Sequence, residues 1–191
     1  IQDQILAQGE VLSAKLVVFL LNQKGISAKL ADTRELIITD SNFGDAQPLD
    51  TISKKNIIQI FKENKDSVLV ITGFIGSNAK NETTTLGRNG SNYTASLIAN
   101  YINAEELQNF THVDGIYTAN PELVLDAKKI ESLSYSEANE MANFGANILH
   151  AKTIIPLLDK NIPLRILNTF NYENNGTLIT SNSNKEGIKT L

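Results

Sequence analysis

Between residues 9 and 24 the apolar positions Leu12, Leu16, Phe19 and Leu20 recur at three- and four-residue spacing, with Gly25 directly after. That period predicts a helix closed by a C-terminal glycine cap. Leu36 to Ile38, Val68 to Ile71 and Leu164 to Leu167 are short apolar runs bounded by polar or turn residues, and they read as buried strands. Leu49 to Lys62, Ser91 to Ile102, Ser136 to Phe144 and Ile148 to Leu158 carry helical spacing. Strands alternating with helices predict an α/β sandwich built on a mainly parallel central sheet. No internal repeat or dividing linker interrupts the pattern; the Asn/Ser/Lys-rich stretch from Ser181 to Lys185 reads as a boundary.

Composition narrows the chemistry. Over 191 residues, 17 Lys plus Arg against 21 Asp plus Glu give a net charge of −4 without a run of like charges, which argues against a nucleic-acid platform. The absence of cysteine excludes disulfides, thiolate zinc sites and thiol nucleophiles, and two histidines are too few for a His-rich metal site. No signal peptide is recognisable at the start, and no apolar run reads as a membrane span, so a cytoplasmic protein is expected. Five Asn-x-Ser/Thr triplets occur, but the 22 asparagines and abundant Ser and Thr generate such triplets by chance.

In open α/β sheets ligands bind beyond the carboxyl ends of strands, which directs attention to three loops. Gly87-Arg88-Asn89-Gly90-Ser91-Asn92 runs straight into a helix. Glycines let backbone approach a ligand, a helix start offers free N–H groups, and the Arg88 guanidinium is a planar fork suited to carboxylate or phosphate. The same residues also describe an ordinary capped helix with a surface arginine. Gly73-Phe74-Ile75-Gly76 follows a strand and leads into the polar stretch Ser77 to Thr85, as either a ligand approach or a hairpin turn. The third loop is Thr111-His112-Val113-Asp114-Gly115-Ile116-Tyr117, in which Asp114-Gly115 makes a turn whatever the function.

Together these loops resemble the aspartokinases of the amino acid kinase family. The resemblance rests on Gly73 to Gly76, Thr84 to Tyr93, Val113 to Thr118, Phe144-Gly145-Ala146 with Leu149-His150, and Gly176 to Ile179, in the family's order and spacing. Gly-Arg-Asn-Gly-Ser, where many monofunctional members have Gly-Arg-Gly-Gly-Ser, looks more like the kinase part of bifunctional aspartokinase/homoserine dehydrogenases. The resemblance implies the amino acid kinase (carbamate kinase-like) fold, a three-layer α/β sandwich lacking its amino-terminal part. Residues 1–180 are then a partial kinase domain, the carboxyl-terminal, nucleotide-binding portion, and 181–191 a linker toward a missing regulatory domain. It further implies that Val68 to Ile71 and Leu107 to Thr111 are neighbouring strands with Gly73 and Thr111 on one rim.

The implied activity is transfer of the ATP γ-phosphoryl group to the β-carboxylate of L-aspartate, giving 4-phospho-L-aspartate for lysine, threonine and methionine biosynthesis, with Mg²⁺ on the nucleotide. By position in the motifs, Glu10, Arg88 and Ser91 bind aspartate. Thr72, Gly73, Thr111, His112, Tyr117, Asn147 and Ile148 bind the nucleotide, and Asn92 occupies a catalytic aspartate's place. No protein metal ligand, nucleic acid or membrane is implied, and the full-length protein is expected to be a homo-oligomer. The chain departs from the family at Val11 and Glu122, where arginine is usual, at Asn92 and His112, where aspartate is usual, and at Asn147, where lysine is usual. It also lacks the family's amino-terminal Lys-Phe-Gly-Gly strand, so the fragment alone is expected to be inactive. These changes support an alternative: a catalytically degenerate regulatory or assembly module with the same fold. A dehydrogenase domain lacks its Gly-x-Gly-x-x-Gly loop here, and a Ser91-His150-Asp114 hydrolase lacks its Gly-x-Ser-x-Gly elbow.

Overall fold

A computed structural model describes residues 1–121, 123–143 and 151–181. The chain divides into two compact units, Ile1–Ile102 and Asn103–Leu191. The first opens with α1, Gln2–Gln23, seven residues longer at its start than the apolar spacing predicts. Gly9, where the predicted helical stretch begins, lies within the helix, and nothing stands within 4 Å of the Cβ it lacks. Asp3, Ala7, Val11 and Ala14 form the inward face of α1. Gly25 ends the helix as expected, in the left-handed region at φ 78°, with the Ile26 N–H reaching back to the Leu21 carbonyl at 3.0 Å.

Beyond α1 come β1 (Ala28–Ala31), α2 (Thr33–Leu36), β2 (Ile38–Thr39), α3 (Asp50–Glu63), β3 (Val68–Ile71), β4 (Ile75–Asn78), β5 (Thr83–Thr85) and α4 (Gly90–Ile102). The strand expected at Leu36 to Ile38 is therefore shorter, because Asp32 caps a helical turn in front of it. Its carboxylate accepts from the Arg34 N–H at 3.0 Å and pairs with the Arg34 guanidinium. Burial pushes the Asp32 carboxyl up, but hydrogen bonds and charge from Arg34, with Lys15 behind, hold it below the usual range. β1 and β3 run parallel, as do β2 and β4, while β4 and β5 form an antiparallel hairpin. β3 is less buried than its apolar run predicts, with Val68 49% exposed, since β1 is its one strand partner among the described residues.

A core of Ala31, Leu36, Ile57, Leu97, Ile98 and Tyr101 joins β1, α2, α3 and α4. Tyr101 at the end of α4 donates its phenol hydrogen to the Asp50 carboxylate at the start of α3. Burial, then that acceptor, drives the phenol far above its ordinary value. Tyr101→Phe is expected to destabilise the unit by about 1.5–3 kcal/mol, the range for a hydrogen bond to a charged group. Chemical denaturation checks this, and an unchanged midpoint would contradict it.

The second unit contains β6 (Leu107–Thr111), β7 (Ile116–Tyr117), β8 (Lys129–Ile130), β9 (Ser132–Ser134), α5 (Tyr135–Asn143), α6 (Ala151–Lys160), β10 (Leu164–Asn168) and β11 (Thr177–Thr180). Its main sheet has the order β6-β10-β11-β9, with β6–β10 and β9–β11 parallel and β10–β11 antiparallel. A bidentate pair from Arg165 on β10 to Glu106 ahead of β6, at 3.0 and 2.9 Å, pins the register and holds the Glu106 carboxyl below its usual value. The α/β class with mainly parallel pairing is as expected. Among the described residues the strands Val68–Ile71 and Leu107–Thr111, expected as neighbours, are not paired with each other: β3 pairs with β1 and β6 with β10. A parallel pair requires a crossover, and the path through α2 and α3 returns β3 beside β1.

One expectation about membranes is corrected. By length and composition α1 is apolar enough to cross a bilayer, a test that core helices of water-soluble proteins also pass. Asp3, Glu10 and Lys15 interrupt it, and Ala7 and Val11 pack against Ile75 and Phe74.

Candidate functional site

The turn before α4 is shaped by backbone geometry. Gly87 and Asn89 both occupy the left-handed region, with φ 78° and 57°, and so reverse the chain on either side of Arg88. Leu86, fully buried, anchors the turn and donates its N–H to the Phe74 carbonyl at 2.8 Å. On the far side the Gly90 N–H reaches the Gly87 carbonyl and the Tyr93 N–H the Asn89 carbonyl, each at 3.0 Å, so the turn passes directly into α4. Arg88 is left exposed at its tip, and among the described residues no hydrogen bond or ion pair engages its guanidinium.

Glu10 on α1 and the first turn of α4 complete the arrangement. The Ser91 hydroxyl donates to Glu10 Oε1 at 3.2 Å. A cavity of about 400 Å³ is lined by Glu10, Phe74 and the run from Gly87 to Asn92. It therefore presents one cation, one carboxylate, a hydroxyl and two amide side chains around a helix start. That set suits a small zwitterion bearing an additional acid: the guanidinium and helix N-terminus for carboxylates, the carboxylate for an ammonium.

Of the residues singled out by sequence, Glu10, Arg88, Ser91 and Asn92 come together on this cavity. Gly73 lies beside it: a Cβ there meets the Cα, Cβ and Oγ of Ser91, all at 2.9 Å. The close approach its glycine permits is that of α4. Thr72 is 1% exposed, and its hydroxyl binds the Thr33 N–H and hydroxyl, each at 2.8 Å. Val11, where the family usually has arginine, is a core residue packed with Ala7 and Ile75.

Thr111, His112 and Tyr117 belong to the second unit. The Thr111 hydroxyl accepts from the Val113 N–H at 3.1 Å and lies within 3.2 Å of the Leu167 carbonyl, which folds the loop back on the end of β6. His112 is exposed and Tyr117 is half-buried on β7. Asp114 is fixed by the side-chain amides of Asn168, at 2.7 Å, and Asn171, at 3.1 Å. Asn147, Ile148 and Glu122 lie outside the described residues, as do Phe144 to His150 and most of the 181–191 stretch.

Sequence reasoning passed over Phe74. It lines the cavity, adopts φ 68°, and donates its N–H to Thr94 Oγ1 at 3.1 Å. Gly90 leaves space for its ring, since a Cβ at Gly90 falls 2.7 Å from Phe74 Cδ2. The available signal was a large residue directly after a glycine that ends a strand, with two glycines bracketing the arginine nearby.

Known proteins share this sequence and fold. The chain is 36% identical to lysine-sensitive aspartokinase 3 of Escherichia coli over 93% of its own length, spanning 40% of that protein. It is 38% identical to bifunctional aspartokinase/homoserine dehydrogenase 2 of Arabidopsis thaliana, spanning 19% of it. Superposition on E. coli aspartokinase III in complex with aspartate and ADP (R-state) gives a TM-score of 0.91 at 35% identity, covering 96% of this chain and 41% of that one. UMP kinase of Ureaplasma parvum, at 14% identity and a TM-score of 0.63, shares the fold. The family model for the amino acid kinase family matches residues 1–168. The chain belongs to the amino acid kinase family.

Proposed function

We propose that the chain is part of an aspartate kinase, which transfers the ATP γ-phosphoryl group to the β-carboxylate of L-aspartate, and that the Glu10–Arg88–Ser91 cavity binds the amino acid. The observation that carries this is Arg88, exposed between two left-handed residues at a helix start, facing the same cavity as Glu10 and Ser91. Arg88 holds a carboxylate through two parallel bonds, Glu10 takes the ammonium, and Ser91 exchanges its bond to Glu10 for one to the substrate. Support comes from E. coli aspartokinase III, solved with aspartate and ADP and again with lysine and aspartate. No covalent intermediate is needed: the acceptor carboxylate attacks the γ-phosphorus in line, and the protein's task is to position two anions and offset their charge. ATP brings Mg²⁺ on its phosphates. In this reading Thr72, Gly73, Thr111, His112, Tyr117, Asn147 and Ile148 are assigned to the nucleotide by their place in the motifs. A homo-oligomeric full-length protein fits the same reading.

A degenerate module of the same fold is the second reading, favoured by Asn92, a neutral amide in the cavity where the family carries aspartate. Titration calorimetry on an intact protein carrying this chain tests the binding claim. Heat is expected with L-aspartate and none with L-asparagine, which lacks the second carboxylate; equal responses would overturn it. Aspartate-dependent ADP release then separates kinase from module.

A further inference from the structure

Asp3 is a buried carboxylate for which the proposed chemistry has no use. It is 5% exposed and stands in line with Ala7, Val11 and Ala14 on the inward face of α1. An apolar side chain there would continue the row at no desolvation cost, whereas a buried charge is retained only against compensation. The compensation comes from neutral donors and converges on one oxygen: Oδ2 accepts from the Thr85 N–H at 2.8 Å, the Gly44 N–H at 3.0 Å and the Thr85 hydroxyl at 3.1 Å.

We infer that Asp3 is a positioning residue that sets the distance from Glu10 to Arg88 and Ser91. This deepens the reading of that cavity as an aspartate site and rests on it. Thr85, the last residue of β5, is three positions before Arg88. Glu10 is two helical turns, about 10 Å, along α1 from Asp3. The helix and the turn are thus joined at two points, Asp3 to Thr85 and Glu10 to Ser91. The first is buried, charge-assisted and triply bonded; the second is a single exposed bond of 3.2 Å that a ligand must displace. When ligand breaks the second link, the first remains as the polar tie that keeps α1 in register with the arginine turn, beside the non-directional packing of Ala7 and Val11 on Ile75 and Phe74. A slip of one residue along α1, about 1.5 Å, removes Glu10 from an ammonium whose carboxylate is already held.

The test is steady-state kinetics of an intact protein carrying this chain, with thermal denaturation to confirm folding. Asp3→Ala is expected to raise the aspartate KM by about ten- to a hundred-fold while kcat and the ATP KM stay within about twofold. Asp3→Asn, which keeps one acceptor oxygen, recovers part of the loss. In a Glu10→Gln background Asp3→Ala adds little, because it acts through Glu10. If Asp3→Ala does not fold, Thr85→Val, which removes only the hydroxyl donor, carries the same cycle with a smaller effect. An unchanged aspartate KM, a loss shared equally by both substrates, or full additivity with Glu10→Gln overturns the inference. Arg88→Ala separates the two levels: if it leaves the aspartate KM unchanged, the cavity reading falls; if it raises that KM and Asp3→Ala does not, only the positioning role falls.

Discussion

Replacing Arg88 with alanine is expected to lower kcat/KM for aspartate by about two to four orders of magnitude and to leave the ATP KM nearly unchanged. A bidentate guanidinium–carboxylate pair in a partly desolvated cavity contributes about 1.5–3 kcal/mol per bond, and each 1.4 kcal/mol is roughly a factor of ten. The structure separates this from a folding effect. Arg88 is exposed and no hydrogen bond or ion pair engages it among the described residues, so its removal should change stability by less than about 0.5 kcal/mol. Arg88→Lys keeps the charge but loses the planar fork, and should restore only part of the rate. Kinetics in both substrates decide: an unchanged aspartate kcat/KM, or a loss confined to ATP, would put the amino acid elsewhere.

Gly73→Ala is the second substitution with a large expected effect, and it acts through packing. The new methyl lands 2.9 Å from the Cα, Cβ and Oγ of Ser91, so either β3's end or the first turn of α4 must give way. Overpacking of this kind costs about 1–3 kcal/mol, and displacing Ser91 by about 1 Å should lower aspartate kcat/KM by about a hundredfold. Gly9→Ala is the control. With nothing within 4 Å of its Cβ in mid-helix, it should stabilise by about 0.5–1 kcal/mol. Thermal denaturation of both, with kinetics on the first, checks the pair; a Gly73→Ala protein as stable and active as its parent would mean that the contact is not tight.

What the sequence revealed follows physical lines. α3, α4 and β10 were legible because their apolar period is sustained and their ends carry turn residues. The β4–β5 hairpin was not, because its seven strand residues are all buried yet mostly polar or small. They are satisfied by neighbours such as Thr39 Oγ1 to Thr84 Oγ1 at 2.8 Å and the Ser77 hydroxyl to the Arg34 carbonyl at 2.6 Å. An apolar-run criterion misses a strand buried through hydrogen bonds. Likewise, Arg88 and Ser91 announce themselves by their glycine setting. Asp3 and Phe74 gain their roles only when α1, β5 and α4 are brought side by side.

The turn around Arg88 also limits which residues its neighbours can be. Gly87 is confined twice, by φ 78° and by Asp45 Oδ1, 2.5 Å from where a Cβ would stand. At Asn89 only the backbone constrains, at φ 57°, and asparagine is among the few side-chain-bearing residues that enter this region at small cost. Asparagine also has fewer conformations to lose than glycine when the loop folds. Position 89 therefore favours a short alphabet, glycine, asparagine and aspartate, and the last would place an anion beside the arginine. Within that alphabet, asparagine orders the turn more firmly than glycine and leaves the guanidinium's charge available to its ligand.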